Sequence, residues 1–447
     1  MEKYSNLCIE MGTKDRFNNG TSPAIYMSRE NIRIILGKMK NFVPLLCLLC
    51  LFCINCTHSP RKNSDLKEIE IMANLSKTQK VNLSDIALSI EYSVLETDKK
   101  CLVSPFASIY GSKEFIVTLA EDVNDPVCYV FERRTGKFVR QISRQGQGPD
   151  EYLNVIRSFW DGRNELVCLW GNSNQYLFYK LDGTLSYKMK RFSDYMISFV
   201  AHGDCYVGYT ANNFVNNTNR ITFYNKRGDM IDSIANHRFW EKPPTAYSKG
   251  EGGWLYVFDN NLYLKELYCD TLYQIKEFNL HPRYLFNTGG LAVPYEIQME
   301  SRYDLMAMLS GKVVDRYEKY VKIHKILEDN KYLYFTVDYR RQVFPAIYDK
   351  TVQILQIMPP VTLPLPTLMD MGLIEYRIPY GFENDLDGGL PFWPQQMISD
   401  KEMMCVYTAE DLLGLDKSKI TDPKLNSVLN GIDYNSNPVI ATVTLKE

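Results

Sequence analysis

Few residues in this chain stand at spacings that do chemistry. Asp385-Leu-Asp387-Gly388-Gly389 begins as a calcium loop does, with carboxylates at i and i+2. The third oxygen ligand and the distal bidentate Glu do not follow. A tight turn or a carboxylate-capped loop uses the same residues equally well. Phe392-Trp393-Pro394 comes next. It would be either an exposed aromatic platform for a sugar or peptide, or core packing, the commoner place for large aromatics. Asp385, Asp387, Phe392 and Trp393 together form the candidate ligand-facing loop. Gly146-Gln-Gly148 has the look of a phosphate cradle, but the third glycine is missing and Pro149-Asp150-Glu151 follows with no helix opening there. Arg144, Gly146, Gly148, Pro149, Glu151 and Tyr152 therefore read as a connection between two structural units, fixed by hydrogen bonds from Glu151 or Tyr152.

His58, His202, His237, His281 and His324 are isolated, with no HxxxH or HExxH pair. There is no G-x-S-x-G elbow. No catalytic residue, no metal-ligand set and no cofactor is expected, calcium being the one ion left open. A metal gathered from one residue per repeat at the centre of a ring would escape spacing rules. That keeps a hydrolase or lyase as the alternative to a non-catalytic binding protein.

The elements that must position these residues are strands. The 447 residues are 45% apolar and 13% aromatic, with 31 Tyr and 21 Phe, a composition suited to many half-buried strands. A formal net charge of -2 and the lack of a basic stripe argue against nucleic acid as a partner. Of eleven cysteines, Cys101, Cys128, Cys168, Cys205, Cys269 and Cys405 are scattered singly through strand-like segments. They read as buried free thiols, though spacing alone does not exclude a disulfide.

The N-terminal 1–38 is polar and weakly periodic. Met39-Lys40-Asn41 then leads into the apolar run Phe42–Ile54. A basic start, a short apolar core and polar residues after it have the form of a secretory signal. The run is shorter than the roughly 20 residues of a spanning helix. Residues 1–38 are thus a doubtful extension and 39–56 a signal. Cys56, with Cys53 as the runner-up, stands where a bacterial lipoprotein signal places the acylated cysteine. Acyl chains, at about 0.8 kcal/mol per buried CH₂, would hold the protein on a membrane; plain cleavage and secretion is the other reading. Residues 57–84 read as a polar tether.

The body repeats. Phe131-x-x-x-x-Gly136, Phe178-x-x-x-x-Gly183 and Phe223-x-x-x-x-Gly228 each precede a strand. Spacing in the mid-forties with several strands per unit marks a propeller blade. Leu267–Leu272 and Ile347–Val352 read as degenerate copies of the turn. Six units follow: 97–143, 155–190, 197–235, 252–280, 321–358 and 383–445. The extra alternating run Ile86–Leu95 is expected to pair with Val439–Leu445 and close the ring, leaving no open edge. Residues 295–320 read as a helical insertion. A second insertion, 408–437, carries a helix capped by Thr408 and another with Pro423 at its first position and Gly431 at its end.

Tyr129–Tyr152 (YVFERRTGKFVRQISRQGQGPDEY), Asn384–Pro394 and Asn437–Lys446 resemble the six-bladed, NHL/TolB-like β-propeller lipoproteins of Bacteroidetes-type bacteria. The resemblance covers 85–447. It implies an all-β, six-bladed propeller closed by an N-terminal strand, and an address at the cell envelope, on the outer membrane. It says little about activity; the lipid-attachment pattern, the propeller repeat and the missing catalytic signatures point instead to a monomeric binding platform for a glycan, a peptide or an envelope protein.

Overall fold

The computed structural model describes residues 66–446, apart from 106, 121–127, 143–145, 149–150, 153–154, 172–174, 191–195, 211–216, 237–238, 240–251, 299–311, 313–314 and 363–378. The signal run, Cys56, Arg144 and Pro149 lie outside the described residues.

Two strands precede the first blade: β1 (Lys67–Glu70) and β2 (Ala87–Val94). Blade 1 is β3 (Ser108–Gly111), β4 (Phe115–Leu119), β5 (Cys128–Glu132) and β6 (Phe138–Gln141). Blade 2 is β7 (Val155–Asp161), β8 (Leu166–Gly171), β9 (Gln175–Lys180) and β10 (Leu185–Lys190). Blade 3 is β11 (Met196–His202), β12 (Cys205–Thr210), β13 (Asn219–Tyr224) and β14 (Met230–Ala235). Blade 4 is β15 (Gly253–Phe258), β16 (Asn261–Glu266), β17 (Thr271–Lys276) and β18 (Asn279–Asn287). Blade 5 is β19 (Lys322–Glu328), β20 (Tyr332–Tyr339), β21 (Gln342–Asp349) and β22 (Ile354–Ile357), with β23 (Val361–Thr362) against β21. Blade 6 is β24 (Gln396–Ser399), β25 (Glu402–Tyr407) and β26 (Val439–Leu445), completed by β2. Each blade is an antiparallel meander, and the first strands of neighbouring blades meet: β7 with β11, β11 with β15, β19 with β24, β24 with β3. Those strands therefore line the axis of a six-bladed propeller.

The ring closes as expected. β2 pairs antiparallel with β26, with Ile90 opposite Val443. The apolar core is divided among the blade junctions. Val117 and Val130 of blade 1 pack on Val167 and Leu177 of blade 2. Met404 and Ile440 of blade 6 pack on Ile116 and Phe131 of blade 1, which completes the circle. Because each blade is covered on both faces, its middle strands are apolar throughout rather than alternating. In β20, Tyr334 enters the junction with blade 6 and Phe335 the junction with blade 4. Each such side chain contributes about 1.5–3 kcal/mol by burial.

The F-x-x-x-x-G turns join third to fourth strands, with Gly136, Gly183 and Gly228 at φ 69, 86 and 88°. The degenerate copies divide. Ile347–Val352 runs into the same turn of blade 5, where Gln353 takes φ 59°. Leu267–Leu272 does not, for it joins second to third strand. The equivalent turn of blade 4 is Glu277-Phe278, at φ 48 and 59°. This is a two-residue hairpin of the kind that needs positive φ at both positions, here without the glycine that would have marked it.

Two other expectations change. From residue 67 the presumed tether is part of the packed fold: β1 adds in parallel to β18, and Ile69 and Ile71 are buried. A 3₁₀ turn at Leu83–Asp85 follows, with Leu83 buried. The alternation Ile69-Glu-Ile71 is a strand signal hidden in a polar stretch. The helical insertion expected at 295–320 opens with α1 (Tyr295–Gln298), and most of the rest of it, 299–311 and 313–314, lies outside the described residues. The first strand of unit six begins at 396, and the described residues 379–395 ahead of it form loop with two isolated bridges, Phe382 to Phe392 and Glu383 to Asn82. The second insertion is as expected. α2 (Ala409–Leu413) starts at a capping box in which Thr408 Oγ1 accepts from Asp411 N at 3.1 Å. α3 (Pro423–Asn430) has Asp422 as its cap. Among the described residues no helix is long and apolar enough to cross a membrane.

Candidate functional site

The glycine loop is a latch between blades 1 and 2. Gly146 N donates to Tyr152 O at 2.9 Å, and Gly148 N to Glu151 Oε2 at 2.8 Å. A Cβ on Gly146 would lie 1.9 Å from Glu151 Oε2. The carboxylate of Glu151 thus occupies the cradle that a phosphate would need. Tyr152 is buried among Val117 and Leu119 of blade 1 and Val155 and Val167 of blade 2.

Of the four residues of the candidate ligand-facing loop, Asp387, Phe392 and Trp393 are buried and Asp385 is exposed. Asp385 accepts from Ser84 N at 2.9 Å and Ser84 Oγ at 2.5 Å. Partial burial pushes its pKa up, and the Ser84 hydrogen bonds outweigh this and hold it low. Asp387 is buried and accepts from Gly389 N at 2.8 Å. Desolvation raises its pKa against hydrogen bonds from Tyr92, Gly389 and Asn384. Its carbonyl accepts from Thr421 N at 2.9 Å, which ties the loop to the insertion carrying α2 and α3. Phe392 and Trp393 are buried in the junction of blades 5 and 6, with Trp393 stacked on Phe382 at 5.8 Å. The acids are spent on Ser84 and Tyr92, both roughly 300 positions away, which spacing rules do not see. Among the described residues no group of three or more His, Cys, Asp and Glu converges as a metal site.

The described cysteines are free thiols. Burial pushes Cys128 and Cys168 well up and Cys405 to about 12, so they are poor nucleophiles. The described histidines are spread over three blades; His202 Nε2 lies 2.9 Å from Asn260 O.

Reading the sequence missed a set of ion pairs between blades. Arg283 of blade 4 grips Glu328 of blade 5 at 2.7 and 2.6 Å, with Lys350 Nζ at 2.7 Å and Tyr256 OH at 3.1 Å. Arg220 of blade 3 pairs with Glu266 of blade 4, and Arg133 of blade 1 with Glu402 of blade 6. Burial works against the guanidiniums of Arg220 and Arg283, and the facing carboxylates more than compensate. These fork-shaped contacts fix the angle between blades.

The two ends of the strands differ. First-to-second and third-to-fourth turns share one end, here called the hairpin end. Its turns are each five residues or fewer, from 112–114 in blade 1 to 400–401 in blade 6. Most longer connections leave and rejoin the strands at the opposite end, including those that follow β6, β14, β18 and β25; the connection 71–86 is different, running from that end to the hairpin end where β2 begins. The fold is thus closed by short turns at one end and elaborated mainly at the other, where a repeat array usually carries its binding residues.

Residues 66–444 match the model of a family described as a domain of unknown function, DUF4934. The chain belongs to this family. Among solved structures it is similar to a "Putative exported protein" from Bacteroides fragilis NCTC 9343, at 17% identity over 86% of this chain and 100% of that one, with a TM-score of 0.58. It is also similar to a member of the duf4221 family from Bacteroides vulgatus ATCC 8482, at 10% identity over 80% and 97% of the two chains, with a TM-score of 0.43. None of the curated proteins matches the sequence. For this DUF4934 member the first likeness speaks to fold.

Proposed function

We propose that this chain is a monomeric cell-envelope lipoprotein, anchored through Cys56 on the outer membrane. Its propeller would be a non-catalytic binding platform for a glycan, a peptide or a partner protein. The observation that carries the reading is the asymmetry of the ring, with tight hairpins at one end and most of the long connections at the other. The binding surface is the end with the long connections. The signal-like run before Cys56 supports export and acylation, as does the name of the exported neighbour. The alternative, a propeller hydrolase or lyase with a metal in its funnel, has no donor set among the described residues to favour it.

Two experiments test this. Growth with labelled palmitate should label the wild-type chain and not Cys56→Ser; equal labelling of both refutes that anchor. The purified protein, screened against soluble polysaccharides and a peptide library, should retain at least one ligand without turning it over. Product release dependent on added Ca²⁺ or Zn²⁺ would refute the non-catalytic reading.

A further inference from the structure

Among the described residues the buried acidic side chains are Asp161, Glu328, Asp329, Asp338 and Asp387. Glu328 faces Arg283 and Lys350, and Asp338 faces Lys322. Asp387, 2% exposed, forms no ion pair among the described residues. It accepts from Gly389 N at 2.8 Å and from the side chains of Tyr92 and Asn384, and the neighbouring charge that acts on it is another carboxylate, that of Asp422. Asp161 and Asp329 likewise meet hydrogen-bond donors alone. Asp387 differs from them in its company.

Asn384 is 7% exposed. Its Nδ2 donates to Tyr92 OH at 3.3 Å, whereas its Oδ1 is buried without a hydrogen-bond partner. An amide oxygen left so is costly. Of the three cation-free acids, Asp387 alone is hydrogen-bonded to a side chain with an orphaned oxygen.

The groups converge. A Cβ on Gly389 would stand 2.8 Å from Asp387 Oδ1, 2.8 Å from Tyr92 OH and 2.9 Å from Asn384 Nδ2. Polar side chains from β2 and the 384–389 loop thus surround one point, and glycine at 389 keeps carbon out of it. The loop is also tied to the second insertion, since Asp387 O accepts from Thr421 N at 2.9 Å.

We propose that this place is a calcium site, with the Asp387 carboxylate and Asn384 Oδ1 as its side-chain ligands and water completing the shell. One hard cation answers both a buried carboxylate without a counter-charge and an amide oxygen without a donor, and oxygen ligands suit Ca²⁺. The pairing is not the Asp385 with Asp387 of the sequence spacing, because Asp385 turns to Ser84. With a single carboxylate the site is no cluster of three acidic, His or Cys side chains. It is a weak site, with a dissociation constant of roughly 10⁻⁴–10⁻³ M. It lies against β2, the outermost strand of blade 6, and not at the axis. The ion braces the closure strand against the loop that holds the insertion, a structural role that leaves the non-catalytic reading as it stands.

Calorimetric titration of the EDTA-treated, dialysed protein with CaCl₂ tests it, beside melting curves in CaCl₂ and in NaCl of equal ionic strength. The wild-type chain should take up one Ca²⁺, and about 10 mM CaCl₂ should raise its melting temperature by roughly 2–4 °C over the NaCl control. Asp387→Asn keeps the shape and removes the charge; it should weaken binding at least about tenfold and erase the shift. Asn384→Asp adds a second carboxylate at the same place. It should melt below the wild type in EDTA yet bind Ca²⁺ about tenfold more tightly, a change that a merely structural asparagine would not give. A wild-type melting temperature that CaCl₂ raises no more than NaCl does overturns the inference. So does Ca²⁺ binding that is unchanged in Asp387→Asn or no tighter in Asn384→Asp. If Asp387→Asn fails to fold, Asn384→Asp decides.

Discussion

Gly136 sits so closely over Val94 that a Cβ on it would stand 1.8 Å from the Val94 carbonyl oxygen. Val94 ends the closure strand β2, and Gly136 O accepts from Glu96 N at 2.8 Å just beyond it. The glycine of the F-x-x-x-x-G turn thus does two things. It supplies positive φ, and it lets the turn of one blade rest on the last strand of the blade before. Gly228 repeats this, with a Cβ 2.3 Å from Lys190 O, whereas Gly183 has open space around it.

Alanine at these positions should separate the two effects. Gly183→Ala carries only the left-handed backbone cost, about 1–2 kcal/mol. Gly136→Ala must also move the closure strand, and we expect roughly 3 kcal/mol or more. Urea denaturation of both variants checks this; equal losses would show that the contact with Val94 is without consequence.

Asn437 ties down the passage from blade 6 to blade 1. It is buried; Nδ2 donates to Glu96 O at 2.7 Å and Cys101 O at 2.8 Å, and Oδ1 accepts from Val103 N at 2.9 Å. Asn437→Ala leaves three backbone groups without this partner. A loss of about 2–4 kcal/mol is expected, read as a lower denaturation midpoint with an unchanged slope.

Ile69 decides between tether and fold. Ile69→Asp puts a charge into the cluster shared by blades 4 and 5 and should cost roughly 3 kcal/mol or more. A free tether would tolerate it, so an unchanged melting temperature contradicts the docking of β1.

What the sequence reveals and conceals has a common cause. Turns that use glycine announce themselves, so blades 1 to 3 were placed from Gly136, Gly183 and Gly228. Blade 4 turns at Glu277-Phe278, where tertiary packing imposes a conformation that the residues do not advertise, and the similar string at Leu267 was mistaken for it. Closure by Ile86–Leu95 was legible because its alternation had no partner nearby in the chain. The roles of Asp385 and Asp387 were not legible, because Ser84 and Tyr92 reach them only after the ring has closed.

Lys265 should give stability a distinctive pH dependence. It is buried, bonded through Nζ to the backbone carbonyls Glu266 O at 2.5 Å and Ile323 O at 3.4 Å, and burial lowers its pKa to about 8. The unfolded chain, near 10.5, binds that proton more tightly, so this group's penalty is full below pH 8 and relieved as pH rises from 8 to 10.5. Lys265→Met should therefore stabilise the protein at pH 7 by on the order of 2–3 kcal/mol, with the advantage shrinking at pH 9.5. Comparing the two proteins at both pH values checks the sign; a gain that grows with pH contradicts it.

The most direct test of the account is hydrogen–deuterium exchange with and without a ligand retained in the screen of soluble polysaccharides and peptides. Slower exchange in connections of the long-connection end such as 267–270, 288–292 and 408–438, with the hairpin-end turns 133–137, 181–184 and 225–229 unchanged, is the predicted result. Protection concentrated on those hairpin turns, with the long connections unaffected, would contradict it.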